Sequence, residues 1–284
     1  MQIIKTVNDL RQVIKEWRRA GETIAFVPTM GNLHAGHLLL AKQAKLHADR
    51  VVVSIFVNPT QFGVGEDFDS YPRTEQADQD KLVSVGVDAV FLPAVETIYT
   101  PGACTAVTVS EVSDLYCGAF RPGHFSGVAT VVCKLFNIVQ PDSAFFGLKD
   151  FQQLTVIKLM VRDLNIPVEI MAVDTVREPT GLAMSSRNGY LTREEKGIAP
   201  VLYQILCEAR DAILKGSQSI AVIEQSSLDA LKRVGFKPDY FVVCRCVDLK
   251  KANAEDTDLV ILVAARLGKT RLIDNVYFSK ESCS

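Results

Sequence analysis

The sequence lacks any run near the about 20 consecutive apolar residues that a helix needs to cross a bilayer. Its opening segment, MQIIKTVNDLRQVIKEWRRAG, carries charge throughout and has neither the apolar core nor the small-residue cleavage site of a secretion signal. A cytoplasmic protein without a membrane partner is expected. An excess of positive charge is missing too. With 31 Lys and Arg against 33 Asp and Glu, the net charge of −2 supplies no general field for a nucleic-acid backbone, so any anionic ligand must be met by local donors. Paired cysteine motifs are also absent. The seven thiols, Cys104, Cys117, Cys133, Cys207, Cys244, Cys246 and Cys283, contain no C-x-x-C, and Cys244 and Cys246 fall on one face of a strand, poor geometry for zinc. Reduced, mostly buried thiols are expected.

What is present is an ordinary globular composition, 48% apolar and 23% charged, over 284 residues, enough for one large or two modest domains. Leu10, Val13, Ile14 and Trp17 recur at helical spacing and Gly21 ends that segment. TIAFVP, RVVVSIFV, VDAVFLP, DSAFFG and PVEIMAV then read as buried strands. Between them, HLLLAKQAKLHA, TEQADQDKLVSVG, SGVATVVCKLFNIV and DFQQLTVIKLMVRDL read as helices. Wholly apolar strands alternating with helices predict an α/β fold with a Rossmann-like, doubly wound parallel sheet over residues 1–174. Beyond that the pattern changes. Val201, Leu202, Ile205, Leu206, Ala209, Ala212 and Ile213 mark a long amphipathic helix ended by Gly216, and a second runs from about Ile220 to Val234. Three closely spaced strand candidates follow, so residues 175–284 are expected to form a smaller α+β C-terminal domain.

In a doubly wound sheet, ligands bind beyond the carboxyl ends of the strands, where helix N-termini present free N–H groups. The stretch FVPTMGNLHAGHLLLAKQAK occupies such a place: a strand, a turn at Gly31, and then His34 and His37 at i and i+3 on the first turn of a helix. Gly36 is expected to leave room for a flat ligand against the backbone. No carboxylate or thiol stands at an obvious metal spacing, so the histidine pair suits a phosphate. The chemistry implied is stabilisation of charge developing on an α-phosphate and its leaving pyrophosphate. Histidines that merely cap or pack remain the bland alternative.

This stretch resembles the H-x-G-H signature of the nucleotidyltransferase superfamily. With FVNPTQF, YPRT, FRPGHFSGV, FGLKDFQQL, MSSRNGYL and TRLIDN following in order, nearly the whole chain is similar to the pantothenate synthetase, or pantoate-beta-alanine ligase, family. The resemblance implies two steps at one site: the carboxylate of (R)-pantoate attacks MgATP to give pantoyl adenylate and pyrophosphate, and the amine of beta-alanine then forms the amide of pantothenate and releases AMP. It implies a homodimer with ATP as substrate and Mg2+ as cofactor. Because the substrate brings the nucleophile, the protein's tasks are alignment and charge neutralisation.

The resemblance carries roles to particular residues of this sequence. His34, His37, Lys149 and Arg187 stabilise phosphate charge. The ATP site is expected to draw on Pro28, Thr29, Met30, Gly31, Asn32, Leu33, His34, Ala35, Gly36 and His37, on Gly147, Leu148, Lys149 and Asp150, and on Val176, Met184, Ser185, Ser186 and Arg187. Gln61, Gln153, Asn58 and Met30 are expected at pantoate and beta-alanine, although Asn58 also suits a turn cap beside Pro59. Asp150 has the alternative of capping a helix. Asp78, placed on the outward face of its helix, is the candidate magnesium ligand, and Arg121 and His124 of RPGH are candidate pocket lining. Two positions depart from the family pattern, with Leu148 and Cys117 standing where acidic residues are usual. The MSSRN loop is expected to close over the phosphates and shield the adenylate from water.

Three other readings stay open on the sequence. One is a nucleotidyltransferase that adenylylates a phosphorylated vitamin precursor and keeps AMP in its product. An aminoacyl-tRNA synthetase shares the signature, but nothing here resembles a tRNA-binding region. A nucleotide-binding regulatory module that has lost catalysis would be marked by Leu148 and Cys117.

Overall fold

In the computed structural model, which describes residues 1–63, 65–216 and 218–280, the apolar runs of the first half form one parallel sheet. Strands β1 (Gln2–Ile4), β2 (Ile24–Thr29), β3 (Arg50–Ile55), β4 (Ala89–Phe91), β5 (Ser143–Gly147) and β6 (Glu169–Val173) lie in the order β1-β4-β3-β2-β5-β6. Helices α1 (Val7–Arg19), α2 (Ala35–His47), α3 (Glu75–Ser84), α4 (Val95–Ile98), α5 (Cys117–Phe120), α6 (His124–Val139) and α7 (Phe151–Asp163) punctuate them. Leu10, Ile14 and Trp17 of α1 share one apolar cluster with Val128 and Leu135 of α6 and Ile157 of α7. Leu40, Ala41 and Ala44 of α2 join Leu82 of α3 in a second cluster against the same sheet. Coverage on both faces is why β2 is apolar from Ile24 to Val27 and β3 from Val51 to Val53.

The strand order reverses at β2, which has β3 on one side and β5 on the other. Pairing of β2 with β3 runs through Thr29 opposite Ile55, whereas pairing with β5 stops at Phe26 opposite Ala144. The carboxyl ends of β2 and β5 therefore separate, opening a crevice at the switch point where α/β sheets bind ligands. Pro28, with no N–H to donate, lies just past the last β2–β5 pair.

After α8 (Arg193–Ile198), helices α9 (Val201–Lys215) and α10 (Ile220–Arg233) lead into an antiparallel sheet, β7 (Lys237–Arg245), β8 (Asp258–Leu267) and β9 (Thr270–Ser279), in that order. Phe241, Val243, Leu259, Ile261 and Val263 pack with Leu202, Leu206, Ile223 and Leu231 of the two helices. The alternate residues Val242, Cys244, Val260 and Leu262 turn the other way, into the cluster that also holds α6 and α7. The small sheet is thus apolar on both faces, one for its own helices and one for the parallel unit.

Two differences from the sequence reading bear on the site. Strand β1 escapes the pattern because three residues are too few for a period to show. The expectation that Asp78 faces outward fails: it is fully buried beneath the Gly31–Leu33 turn. Cys104, Cys117, Cys133, Cys207, Cys244 and Cys246 are free thiols, and Cys283 lies outside the described residues.

Candidate active site

The two histidines cap their own helix. His34 is the N-cap of α2, its Nδ1 accepting the Gly36 N–H at 3.2 Å, while His37 Nδ1 accepts the His34 N–H at 3.4 Å. This is a capping box built from imidazoles. With each Nδ1 occupied as an acceptor, the neutral rings carry their protons on Nε2, facing away from the helix backbone. Burial, reinforced by the charge of Lys149, pulls His34 down to about 4, and burial followed by the neighbouring His34 and Lys149 pulls His37 down to about 3. At neutral pH the pair is therefore a fixed set of uncharged N–H donors. Capping and ligand binding, alternatives on the sequence, are compatible here because they use opposite nitrogens.

Of the two nearby glycines, Gly31 makes the turn the sequence suggests and Gly36 plays a different part. Gly31 has φ of 81°, and a Cβ there would stand 2.9 Å from Ile55 Cγ2, so the turn requires glycine. At Gly36 a Cβ would sit 2.9 Å from His34 Cε1; the space it leaves is taken by the imidazole rather than by a flat ligand. Asn32 and Leu33 donate their N–H groups to the Asp78 carboxylate at 2.8 Å each, which removes them as phosphate donors. Thr74 Oγ1 also donates to it at 3.0 Å, so the carboxylate expected on magnesium is turned onto the Gly31–Leu33 segment, with both oxygens accepting hydrogen bonds.

Lys149 and Asp150 follow β5 on a single 3₁₀ turn, and Asp150 caps α7 by position without a side-chain hydrogen bond. The turn is held from the second sheet, where Asn275 of β9 donates through Nδ2 to the carbonyls of Leu148 and Lys149 at 2.9 Å. Leu148 itself packs into the apolar cluster beside α6 and α7, so the missing acid leaves no hole in the crevice. Cys117, the other departure, places Sγ 3.0 Å from Tyr240 Oη and 3.5 Å from the Arg271 guanidinium.

Across the crevice, Asn58 is 1% exposed and fully used. Its Nδ2 donates to Gln61 Oε1 and the Gly127 carbonyl at 3.0 and 3.2 Å, and its Oδ1 accepts from Tyr99 Oη at 2.8 Å and from Thr60 Oγ1 at 2.9 Å. Asn58 lines the cleft as expected, but its polar groups are engaged within the protein, where it orients Gln61. The Gln61 amide donates to Met30 Sδ at 3.2 Å. Gly127 of α6 makes this arrangement possible, because a Cβ there would approach the Thr60 carbonyl to 2.4 Å.

Ser185 and Ser186 fasten the MSSRN loop. Ser185 Oγ accepts the Arg187 N–H at 3.2 Å, and Ser186 Oγ donates to the Asn32 carbonyl at 3.2 Å. Arg187 lies in a two-pronged pair with Asp67, at 2.9 and 3.0 Å. Arg121 is likewise gripped by Glu66 at 2.6 Å and approaches His124 Nε2 at 3.0 Å. Burial alone raises the Glu66 carboxyl, but the hydrogen bond and charge of Arg121 prevail and hold it at about 2. Burial and then Arg121 lower His124 to about 4. The partners Glu66 and Asp67 show in the sequence only as an acidic pair soon after Gln61, with nothing to tie them to Arg121 and Arg187.

His34, His37, Lys149 and Arg187 all line one cavity of about 210 Å³ at the switch point. Pro28, Thr29, Met30, Gly36, Gly147, Asp150, Val176, Met184, Ser185 and Ser186 line it too, with Gln61 and Gln153. Gly31, Asn32, Leu33, Ala35 and Leu148 do not, contrary to expectation. A second cavity of about 290 Å³ shares Met30, Gln61, Lys149, Gln153 and Arg187 and adds Arg121, His124 and Cys117. A cationic and neutral-donor cleft opening into an amide-lined pocket suits a nucleotide phosphate beside a small hydroxyacid.

The family model described as Pantoate-beta-alanine ligase matches residues 2–277. The chain belongs to that family. It is 55% identical to a pantothenate synthetase of Alteromonas mediterranea over 282 residues, which are 99% of this chain and all of that one, and 51% identical to one from Pseudomonas fluorescens, covering 99% of both. Among solved structures, pantothenate synthetase from Thermus thermophilus superposes with a TM-score of 0.92 at 45% identity, covering 97% of this chain and 99% of that one. The pantoate-beta-alanine ligase of Francisella tularensis, complexed with beta-gamma ATP and beta-alanine, gives 0.83 at 37% identity, covering 99% and 98%. The family's reaction, ATP-dependent ligation of pantoate to beta-alanine, is thus the activity of this chain, a step of pantothenate biosynthesis. A nucleotidyltransferase that retains AMP gains no support from these relatives.

Proposed function

We propose that both steps of the ligase reaction take place at one site, where the two cavities meet and share Met30, Gln61, Lys149, Gln153 and Arg187. In the first, the Nε2–H groups of His34 and His37, the Lys149 ammonium and the Arg187 guanidinium receive the triphosphate, and Gln61 and Gln153 seat pantoate so that its carboxylate faces the α-phosphorus. Attack forms the acyl–phosphate bond and expels pyrophosphate. The beta-alanine amine, entering from the second cavity, then attacks the same acyl carbon, AMP leaves with the bridging oxygen, and the amine loses a proton as the amide forms. Arg121, once it exchanges Glu66 for another carboxylate, is the donor suited to the acid end of beta-alanine.

Magnesium belongs to this proposal as part of the substrate. Among the described residues no group of three or more His, Cys, Asp or Glu side chains is placed to hold a metal, so the ion arrives on ATP and keeps water in the rest of its shell. The division into residues 1–174 and 175–284, a homodimer and a cytoplasmic setting are further parts of it. The separate three-stranded sheet with its own apolar cluster, the kinship and the want of any membrane-crossing helix among the described residues support them in turn.

The observation carrying the reading is the single cavity that collects His34, His37, Lys149 and Arg187 from three separate chain segments. Labelling both pantoate carboxylate oxygens with ¹⁸O tests it. One label should appear in AMP and one in pantothenate; unlabelled AMP would exclude an acyl adenylate.

A further inference from the structure

The histidine box depends on a turn that does not hold itself. Gly31 and Asn32 have successive positive φ values of 81° and 49°. For Asn32 that conformation costs roughly 1 kcal/mol and needs outside support. Successive N–H groups in such a turn converge as they do in anion-binding loops. Here the anion is internal: Asp78 Oδ2 accepts the Asn32 N–H and Oδ1 the Leu33 N–H, both at 2.8 Å. One helical turn further along α3, Lys81 Nζ donates to the Leu33 carbonyl at 2.7 Å and lies 3.8 Å from Asp78 Oδ1. Leu33 therefore has both backbone polar groups fixed by α3 immediately before His34.

We propose that Asp78 and Lys81 are positioning residues for the ligase reaction: together they hold the Gly31–Leu33 turn and thereby aim the His34 and His37 Nε2–H groups into the phosphate cavity. The inference rests on the assignment of those imidazoles to the triphosphate. Neither side chain is a catalytic residue, since neither lines that cavity. The pair divides the task by burial. The Asp78 side chain is 1% exposed and supplies the two bonds that fix the N–H groups, while Lys81, 41% exposed, locks the carbonyl from the rim. Its charge also adds to those keeping both rings neutral, after burial and Lys149.

Asp78→Asn tests the claim most strongly, because an amide of the same shape cannot accept from both N–H groups. AMP-forming turnover should fall about 10- to 100-fold, the scale of an ångström-sized misplacement, with the KM for pantoate unchanged. Lys81→Gln removes an exposed ammonium and leaves the fold intact; turnover should fall about 3- to 10-fold, the worth of one hydrogen bond. The double variant should be little worse than Asp78→Asn alone, as both act on one turn. Ring ¹⁵N shifts of His34 and His37 should move in both single variants, a readout that needs no turnover and so separates failure of this inference from failure of the assigned reaction. Wild-type turnover and unchanged ring shifts in Lys81→Gln would overturn the proposal even if Asp78→Asn does not fold. So would an Asp78→Asn enzyme whose only change is a raised Mg2+ requirement, the mark of a metal ligand.

Discussion

At the scale of single residues, the proposed phosphate role rests on the protonation state of two imidazoles. His34 and His37 have folded values of about 4 and about 3 against the usual 6.5, so between those limits the folded chain binds fewer protons than the unfolded one. Their contribution to stability is complete above pH 6.5 and is lost as the pH falls toward 4 and 3. Long-range ¹⁵N spectra should show both rings as neutral Nε2–H tautomers from pH 8 to 5.5. A ring titrating near 6.5 would contradict the caps. Gln61 and Asn58 make a second pair. Gln61→Ala removes a hydrogen-bonding amide from the pocket proposed for pantoate and should raise the pantoate KM about 10- to 100-fold with the ATP KM unaffected. Asn58→Ala should do the same less severely, because it frees Gln61 without deleting it. Steady-state kinetics with each substrate varied in turn separates the cases. The sequence made His34, His37, Gln61, Lys149 and Arg187 legible because their types and motif order are specific. It hid Asp78's orientation, since of the three buried positions on this mostly polar helix, Asp78, Gln79 and Leu82, only Leu82 is apolar and no apolar period results.

At the scale of elements, long apolar runs were enough to find every strand of the parallel sheet except β1, and the change of pattern after Val173 marked the second sheet. What stayed illegible was contact between distant segments. Arg187 with Asp67, Arg121 with Glu66 and Asn275 with the Lys149 turn join positions 120, 55 and 126 residues apart, and no local propensity encodes them. Gly127 is the sharpest case. Inside α6 it reads as a weak helix former, yet the Asn58–Gln61 turn presses against it. Gly127→Ala should cost about 1–3 kcal/mol by overpacking, despite alanine's better helix propensity. Denaturant unfolding should show the midpoint falling with an unchanged slope; a stabilised variant would mean that the turn and the helix are not in contact.

For the whole molecule, the second sheet does more than add mass. Asn275 clamps the Lys149 turn, and Arg177, within 2.6 Å of Asp274, ties the segment before MSSRN to the same strand. Loss of Asn275 should therefore be felt across the crevice. Asn275→Ala strands two carbonyls and should lower AMP-forming turnover by about 10-fold while leaving the second sheet folded, a change read by kinetics beside circular dichroism. Unaltered turnover would show that Lys149 needs no support from β9. All of these contacts converge on one cavity, and its central property can be measured without the second substrate. In the absence of beta-alanine, labelled pyrophosphate should exchange into ATP only when pantoate is present, and His37→Ala should reduce that exchange at least about 100-fold. Exchange without pantoate, or undiminished exchange in His37→Ala, would contradict the account.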